Sequence, residues 1–407
     1  MLNRLERNFP ALFHKSFRYF WLGQIISVIG TWMQRTAQQW LVYSLTKSAF
    51  LLGLLGVAQF GPMLLFSLFA GVIIDRYSKK KILIITQITM MAQAVILAAI
   101  VWSGKAEYWQ IIVLALVFGF LMTVDMPSRQ SFVIELVGRK DLPNAIALNS
   151  SVFNFARIAG PALSAVLMAR YGAALCFFLN GISFIPVIFS LILTKPVAAK
   201  IQKERKNIIA GIHDGIMYIW RLPSLRIPIL ALLAIGAFAI NMEVIIPVFA
   251  DRVLGLGVHG YGFLLSAMGF GSLIGALFVA ARVRIPKQSI IFLGAFLICL
   301  FEIIASFLHN YYLVMPAVIL IGFSNVLFLT SVNSIIQLNS SDEYRGRVMS
   351  VYALSNNGMT PLGNFFAGSI MEVFGASIGL FMCGGVAGIL VILLLVWMGK
   401  SHHELLE

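Results

Sequence analysis

Ionisable side chains are scarce in this chain, and several sit where they are most costly. Charged residues make up 11% of 407. Arg35, Arg129, Arg157, Asp125, Glu243 and Glu302 nonetheless fall inside long apolar stretches. A charge at membrane depth is expensive, so it marks a contact with solute, ion or polar partner. On the stretch 17–44, Gln24, Ser27, Thr31, Gln34, Arg35, Gln38 and Gln39 share one helical arc of about 140° at 100° per residue. Such a wet stripe faces a cavity or a polar partner rather than lipid. Asn241 and Glu243 lie at a depth similar to Arg35, so Arg35 and Glu243 are placed to face each other across a cavity. Arg157 is mid-stretch; it either binds an anion or holds Asp125. Asn325 adds a polar group on another stretch, with Ser331, Asn333 and Gln337 nearby. The candidate substrate-binding set is Gln34, Arg35, Gln38, Arg157, Asn241, Glu243 and Asn325.

A second cluster reads Gly71-Val-Ile-Ile-Asp75-Arg76-Tyr-Ser-Lys79-Lys80-Lys81, between two apolar stretches. It reads as a short aqueous loop. Asp75 suits the N-terminal amides of a helix from the other half of the chain, with the helix that begins near Arg345 as the natural partner. Lys79 is placed to pair with Glu135 or Asp125. Asp125 and Arg129 are four apart and pair on one helix face, with Pro127 between them able to kink or break it. Gly71, Asp75, Arg76, Lys79, Asp125 and Arg129 form the candidate gating set, a latch competing with a plain topology-fixing loop.

These residues need apolar elements to position them. The chain is 60% hydrophobic, with a mean hydropathy of +0.92. About twelve stretches are long enough to cross a bilayer core that needs roughly 20 apolar residues per helix. They fall near 17–44, 48–74, 82–103, 108–134, 143–170, 172–194, 226–252, 258–282, 288–308, 311–338, 345–374 and 376–399. The expected fold is an all-α membrane protein with twelve transmembrane helices in two pseudo-symmetric six-helix bundles. Long continuous apolar runs exclude a β-barrel. One hydrophilic interruption divides the chain into 1–194, a linker 195–225, and 226–407. Within the linker, Ile208, Ile209, Ile212, Ile216, Ile219 and Trp220 recur at helical spacing opposite His213 and Asp214, which predicts an amphipathic interfacial helix.

The net charge of +14 follows topology, not nucleic acid. Lys and Arg concentrate at 1–18, 76–81, 139–140, 195–226, 282–287, 345–347 and 400, whereas only Lys47, Lys105, Arg170 and Arg252 fall on the opposite side. That asymmetry predicts cytoplasmic termini and contact with anionic lipid. Cys176, Cys299 and Cys383 all fall in apolar stretches and read as small core residues. The polar, basic start of the chain and the length of the first apolar run are unlike a cleaved signal peptide.

The stretch Ala156-Arg157-Ile-Ala-Gly160-Pro161-Ala-Leu-Ser164-Ala165 carries small residues around a Gly-Pro, with Gly160 and Pro161 as the expected kink. It resembles the export-associated motif of the major facilitator superfamily, and the 71–81 cluster resembles that superfamily's loop between helices 2 and 3, with Ser78 where Gly is usual. Four further segments sharpen the likeness: Gly30-Thr-Trp-Met-Gln-Arg35, Asp125-x-Pro-x-Arg129-Gln, Asn144-Ala-Ile-Ala-Leu-Asn149 and Arg345-Gly-Arg347-Val-Met-Ser. Together they resemble the transmembrane secretion effector branch, which includes enterobactin-exporter-like and macrolide-efflux-like proteins. The resemblance implies alternating access in a bacterial inner membrane, a small organic substrate such as a siderophore or drug, and a proton as coupling ion. The span-four Arg that some relatives tie to proton coupling is absent here. An importer or a lipid flippase on the same fold remains an alternative. No His-Glu-x-x-His, Gly-x-Ser-x-Gly or phosphate-loop motif occurs, so no enzyme, cofactor or metal is expected. No obligate protein partner is evident.

Overall fold

The computed structural model describes residues 9–194, 208–282, 287–341 and 343–403. Every regular element among them is helical. Inside hydrocarbon, each backbone N–H and C=O must be paired within its own segment, which a helix does and an open strand does not. After a short 3₁₀ turn at Pro10–Phe13 come α1 (Lys15–Thr46), α2 (Ala49–Arg76) and α3 (Lys79–Trp102). Then follow α4 (Tyr108–Gly138), α5 (Lys140–Tyr171) and α6 (Ala173–Leu193). The remainder are α7 (Ile208–Arg221), α8 (Pro223–Phe238), α9 (Met242–Arg252), α10 (Gly257–Arg282), α11 (Gln288–Ser306), α12 (Tyr311–Asn339), α13 (Arg345–Phe374) and α14 (Ala376–His403).

Among the described residues ten segments, counting Pro223–Arg252 as one, are long and apolar enough to cross a membrane. The helices α1 and α13, with 32 and 30 residues, have the length but carry more polar side chains. With them the described residues hold twelve spanning elements, as the sequence predicts.

Three boundaries differ from expectation. The cluster at 71–81 is mostly helical: α2 runs to Arg76 and α3 starts at Lys79, leaving two residues between them. Pro127 does not break α4; helical dihedrals continue through Pro127 and Pro161, and the one interruption between Tyr108 and Tyr171 is Gly138, at φ 71°. A positive φ of that kind suits glycine, which has no Cβ to clash. The stretch 226–252 is not one helix. It stops at Phe238 and restarts at Met242.

The chain divides into two compact units: Met1–Leu45 with Gly61–Glu204, and Thr46–Phe60 with Arg205–Glu407. The first has an apolar core that includes Phe17, Phe20, Leu83, Phe132 and Phe184. The rings of Phe20 and Phe132 meet edge-on at 5.7 Å. The second has a core that includes Leu232, Ile235, Ile298, Phe328, Val332 and Ile336.

The division cuts through α2, whose first turns belong to the second unit. There a Cβ on Gly53 would lie 2.5 Å from the Asn364 carbonyl of α13, and one on Gly368 would lie 2.7 Å from the Ala49 carbonyl. Only glycine allows this backbone approach. The Glu372 carboxylate accepts from the Ala49 and Phe50 amides at 2.7 and 3.4 Å, capping α2 where its unpaired N–H groups attract an anion. Lys47 pairs with Asp251 at 3.0 Å, and Arg252 donates to the Lys47 carbonyl.

The linker helix α7 also joins the second unit. Ile219 enters its core, Asp214 pairs with Arg347 at 3.2 Å, and Tyr218 stacks on Tyr344 at 4.3 Å. Ile216 and Trp220 stay exposed. From the predicted polar face Asp214 thus reaches the start of α13 while staying half exposed, and His213 stays exposed. Ile208, Ile209 and Ile212 have side chains outside the described residues.

Candidate functional site

Within the first unit, α1, α3, α4, α5 and α6 line an open cavity of about 720 Å³. Its polar lining includes Gln24, Ser27, Thr31, Asp125, Arg129 and Asn149. Its apolar lining includes Met90, Met122, Met126, Ile134, Phe153 and Phe184. Unbranched thioethers repack around different shapes, so a methionine-rich wall accepts varied apolar bodies. The volume suits a small organic molecule.

At its edge lies a saturated carboxylate. Asp125, with a side chain only 2% exposed, accepts from Thr86 Oγ1 at 2.6 Å and Gln87 Nε2 at 2.8 Å on α3. From its own helix it accepts from Arg129 Nη2 at 2.8 Å and Nε at 3.2 Å. The expected i,i+4 pair therefore forms and is reinforced by a neighbouring helix. Arg129 also lies over the Phe20 ring. Three enclosed lining atoms have no hydrogen-bond partner: the acceptors Gln24 Oε1 and Asn149 Oδ1, and the donor Arg129 Nη1. An unmet polar atom inside a protein is costly, so the cavity is prepared for a ligand with donors and an acceptor.

The polar stripe of α1 splits. Gln24, Ser27 and Thr31 face the cavity. Gln34 and Gln38, expected to bind substrate, are buried and engaged elsewhere. Gln34 donates to Gln93 Oε1 at 3.1 Å and accepts from Asn180 at 2.8 Å. Gln38 donates to the Ile111 carbonyl at 3.4 Å. The split has a geometric reason: an arc of about 140° is wider than one cavity wall, so half of it meets neighbouring helices. Arg35 lies one turn further on, with its guanidinium 5.3 Å from the ring centre of cavity-lining Trp32.

Gly160 and Pro161 sit where α5 crosses α1. A Cβ on Gly160 would lie 2.5 Å from Trp32 Cβ and 3.1 Å from the Met33 amide. One turn on, Ser164 Oγ donates to the Met33 carbonyl at 3.0 Å. The small-residue motif thus sets a helix contact beside the cavity. Arg157, on the same helix, does not hold Asp125; it donates to cavity-lining Asn154 at 3.2 Å.

Among the gating candidates, Lys79 pairs with Glu135 at 2.6 Å, tying the start of α3 to the end of α4. Arg76 is exposed at the end of α2. Gly71 and Asp75 fall in the last turns of α2, with side-chain placement outside the described residues.

In the second unit, Asn241 sits at the break between α8 and α9. It is fully buried, and its Nδ2 donates to the Phe238 and Ala237 carbonyls at 3.0 and 3.4 Å. Those are carbonyls that an unbroken helix would pair with its own amides. Glu243 is in the first turn of α9, where the helix dipole favours a carboxylate. Interrupted spans of this kind occur at solute and ion sites of transporters. Asn325 Oδ1 on α12 is enclosed without a partner, as are both oxygens of Glu302 on α11.

Sequence reasoning passed over Asn149 and Asn154 as cavity groups, and missed Glu372. Asn149 closes a motif already picked out, about two turns before Arg157, whereas Asn154 lies between the two quoted motifs, about one turn before Arg157. Glu372 is an acid at a span end, and only its three-dimensional neighbour distinguishes it from a solvated one.

A twelve-span helical fold with an amphiphilic cavity defines the class as a multi-pass membrane transporter. The nucleoside transporter NupG has the same fold, with a TM-score of 0.74 at 13% identity over 94% of this chain and 98% of that one. So does a bacterial homologue of the human lysosomal transporter Spinster, at 0.72 and 13% over 94% of each chain. The transmembrane secretion effector family matches residues 7–403, and the chain belongs to that family of major facilitator transporters. It is 24% identical to the staphyloferrin A transporter of Staphylococcus aureus, over 96% of this chain and 98% of the relative. The multidrug efflux pump Tap of Mycolicibacterium fortuitum is 25% identical, over 83% and 84%. The enterobactin exporter EntS of Shigella boydii is 25% identical, over 65% and 63%. These relatives are transporters, and this chain is not an enzyme.

Proposed function

We propose that this protein exports a small amphiphilic organic molecule, siderophore-like or drug-like, across a bacterial cytoplasmic membrane by proton-coupled alternating access, with both termini in the cytoplasm. The observation that carries this reading is the cavity in the first unit, which joins an adaptable Met-rich wall to three unmet polar atoms. The names of two relatives, an efflux pump and an exporter, supply the direction. The positive-inside distribution supplies the orientation. In this reading Gln24, Asn149 and Arg129 bind the solute. Arg35, Asn241, Glu243 and Asn325 line its route, and Glu243 takes up the coupling proton. Gly71, Asp75, Arg76 and Lys79 latch the cytoplasmic side.

The test compares metabolites inside and outside cells lacking the protein with those of complemented cells. Retention of a compound inside the deficient cells is the expected result. A compound left unused in the medium would reverse the direction. For coupling, solute-driven proton movement in inside-out vesicles is expected to disappear in Glu243→Gln. Undiminished proton movement in that variant would remove Glu243 from the role.

A further inference from the structure

Arg157 is the eighteenth residue of the 32-residue α5, which places it about 25 Å from the Lys140 end at 1.5 Å per residue. That depth puts it out of reach of lipid headgroups at either surface. Its one hydrogen bond among the described residues goes to a neutral amide, Asn154 Oδ1, at 3.2 Å. Its Nε is enclosed and unpaired, and no described acid forms an ion pair with it. Asp125, the acid available in the first unit's cavity, is already saturated by Thr86, Gln87 and Arg129. The cavity's own charges, Asp125 and Arg129, cancel. Arg157 is therefore a cation in excess, one turn beyond a side chain that lines the cavity.

A guanidinium at mid-membrane depth without a counter-charge is costly, and the cost is recovered when an anion reaches it. Its planar fork fits a carboxylate, sulfonate or phosphate oxygen pair. We propose that Arg157 and Asn154 form the anion subsite of this cavity, so that the transported solute is an amphiphile with an anionic group. That group meets Arg157. Hydroxyl or amide donors on the solute meet Gln24 and Asn149, and its apolar body lies on the Met122, Met126 and Phe153 side. This inference rests on the cavity being the solute site.

Two probes with the same aromatic body separate the possibilities: 8-anilinonaphthalene-1-sulfonate and the uncharged N-phenyl-1-naphthylamine. Binding is measured by equilibrium dialysis on the full chain in phosphatidylcholine nanodiscs, against empty nanodiscs. The sulfonate is expected to bind saturably. Arg157→Gln should weaken it about tenfold, the scale of one lost charge-assisted hydrogen bond. The uncharged amine should change less than about twofold, because it makes no such bond. Arg157→Lys, which keeps the charge, should recover part of the loss and so separates charge from misfolding. If Arg157→Gln weakens both probes alike, or neither, the anion subsite is wrong while the cavity reading stands. If neither probe binds saturably, both fall. If millimolar chloride or phosphate displaces the sulfonate, Arg157 holds a free inorganic anion and the solute assignment is overturned.

Discussion

The two units bury polar groups in opposite ways. In the first, Asp125 keeps its helix intact and draws two donors from a neighbouring helix, Thr86 and Gln87 on α3, besides Arg129 one turn along its own. In the second, Asn241 interrupts its helix and serves carbonyls of its own segment. The difference follows from charge. A carboxylate needs several donors, and no helix has spare ones in its middle. A neutral amide needs fewer partners, and a helix break supplies them. The first arrangement binds α3 to α4 and stiffens the edge of a cavity. The second leaves a span interrupted between Phe238 and Met242.

The comparison breaks most readily at Asp125. Asp125→Ala leaves Arg129 enclosed with its charge unmatched and frees two donors on α3, a loss of about 3–5 kcal/mol for a broken buried pair. A large drop in the thermal midpoint of the purified protein is expected; a drop no greater than that of an exposed substitution would mean water already shares the site. Gly363→Val attacks the other arrangement. Its Cβ would collide with Asn241 Oδ1 and lie 2.7 Å from the Ala237 carbonyl. Overpacking of this kind costs about 2–3 kcal/mol. Faster amide hydrogen exchange confined to Phe238–Met242 is the expected signature, and unchanged exchange there would show that Asn241 does not hold the break. The smallest effect belongs to Lys79→Met, which removes one part-buried ion pair between α3 and α4. About 1 kcal/mol is expected, seen as a modest shift in thermal midpoint. A shift as large as that of Asp125→Ala would move the main fastening of α3 from Asp125 to Glu135.

Much of this architecture was legible from residue types alone. Spacing four apart is enough to pair Asp125 with Arg129, because helix geometry brings such residues onto one face. Lys79 with Glu135 was one of two stated options, and helix packing chose between them. The wet stripe on α1 was recognised as a stripe, yet its split between Gln24 and Gln34 was not. Periodicity reports the direction of a side chain from its own axis, not what lies opposite. The same limit hid the helix break at Asn241. Nothing in Ile240-Asn241-Met242 distinguishes a polar residue that lines a span from one that interrupts it.

Composition and periodicity by themselves determined that this chain spans a membrane twelve times, because hydrocarbon thickness and backbone pairing leave an apolar chain few other options. Its family is written in local motifs. Which charges are paired was decided only by the tertiary structure. Asp125 is satisfied because α3 brings Thr86 and Gln87 to it, and Arg157 is left with a neutral amide because, among the described residues, no helix brings it an acid. Partners of that kind are far apart in sequence, and only packing brings them within hydrogen-bond distance.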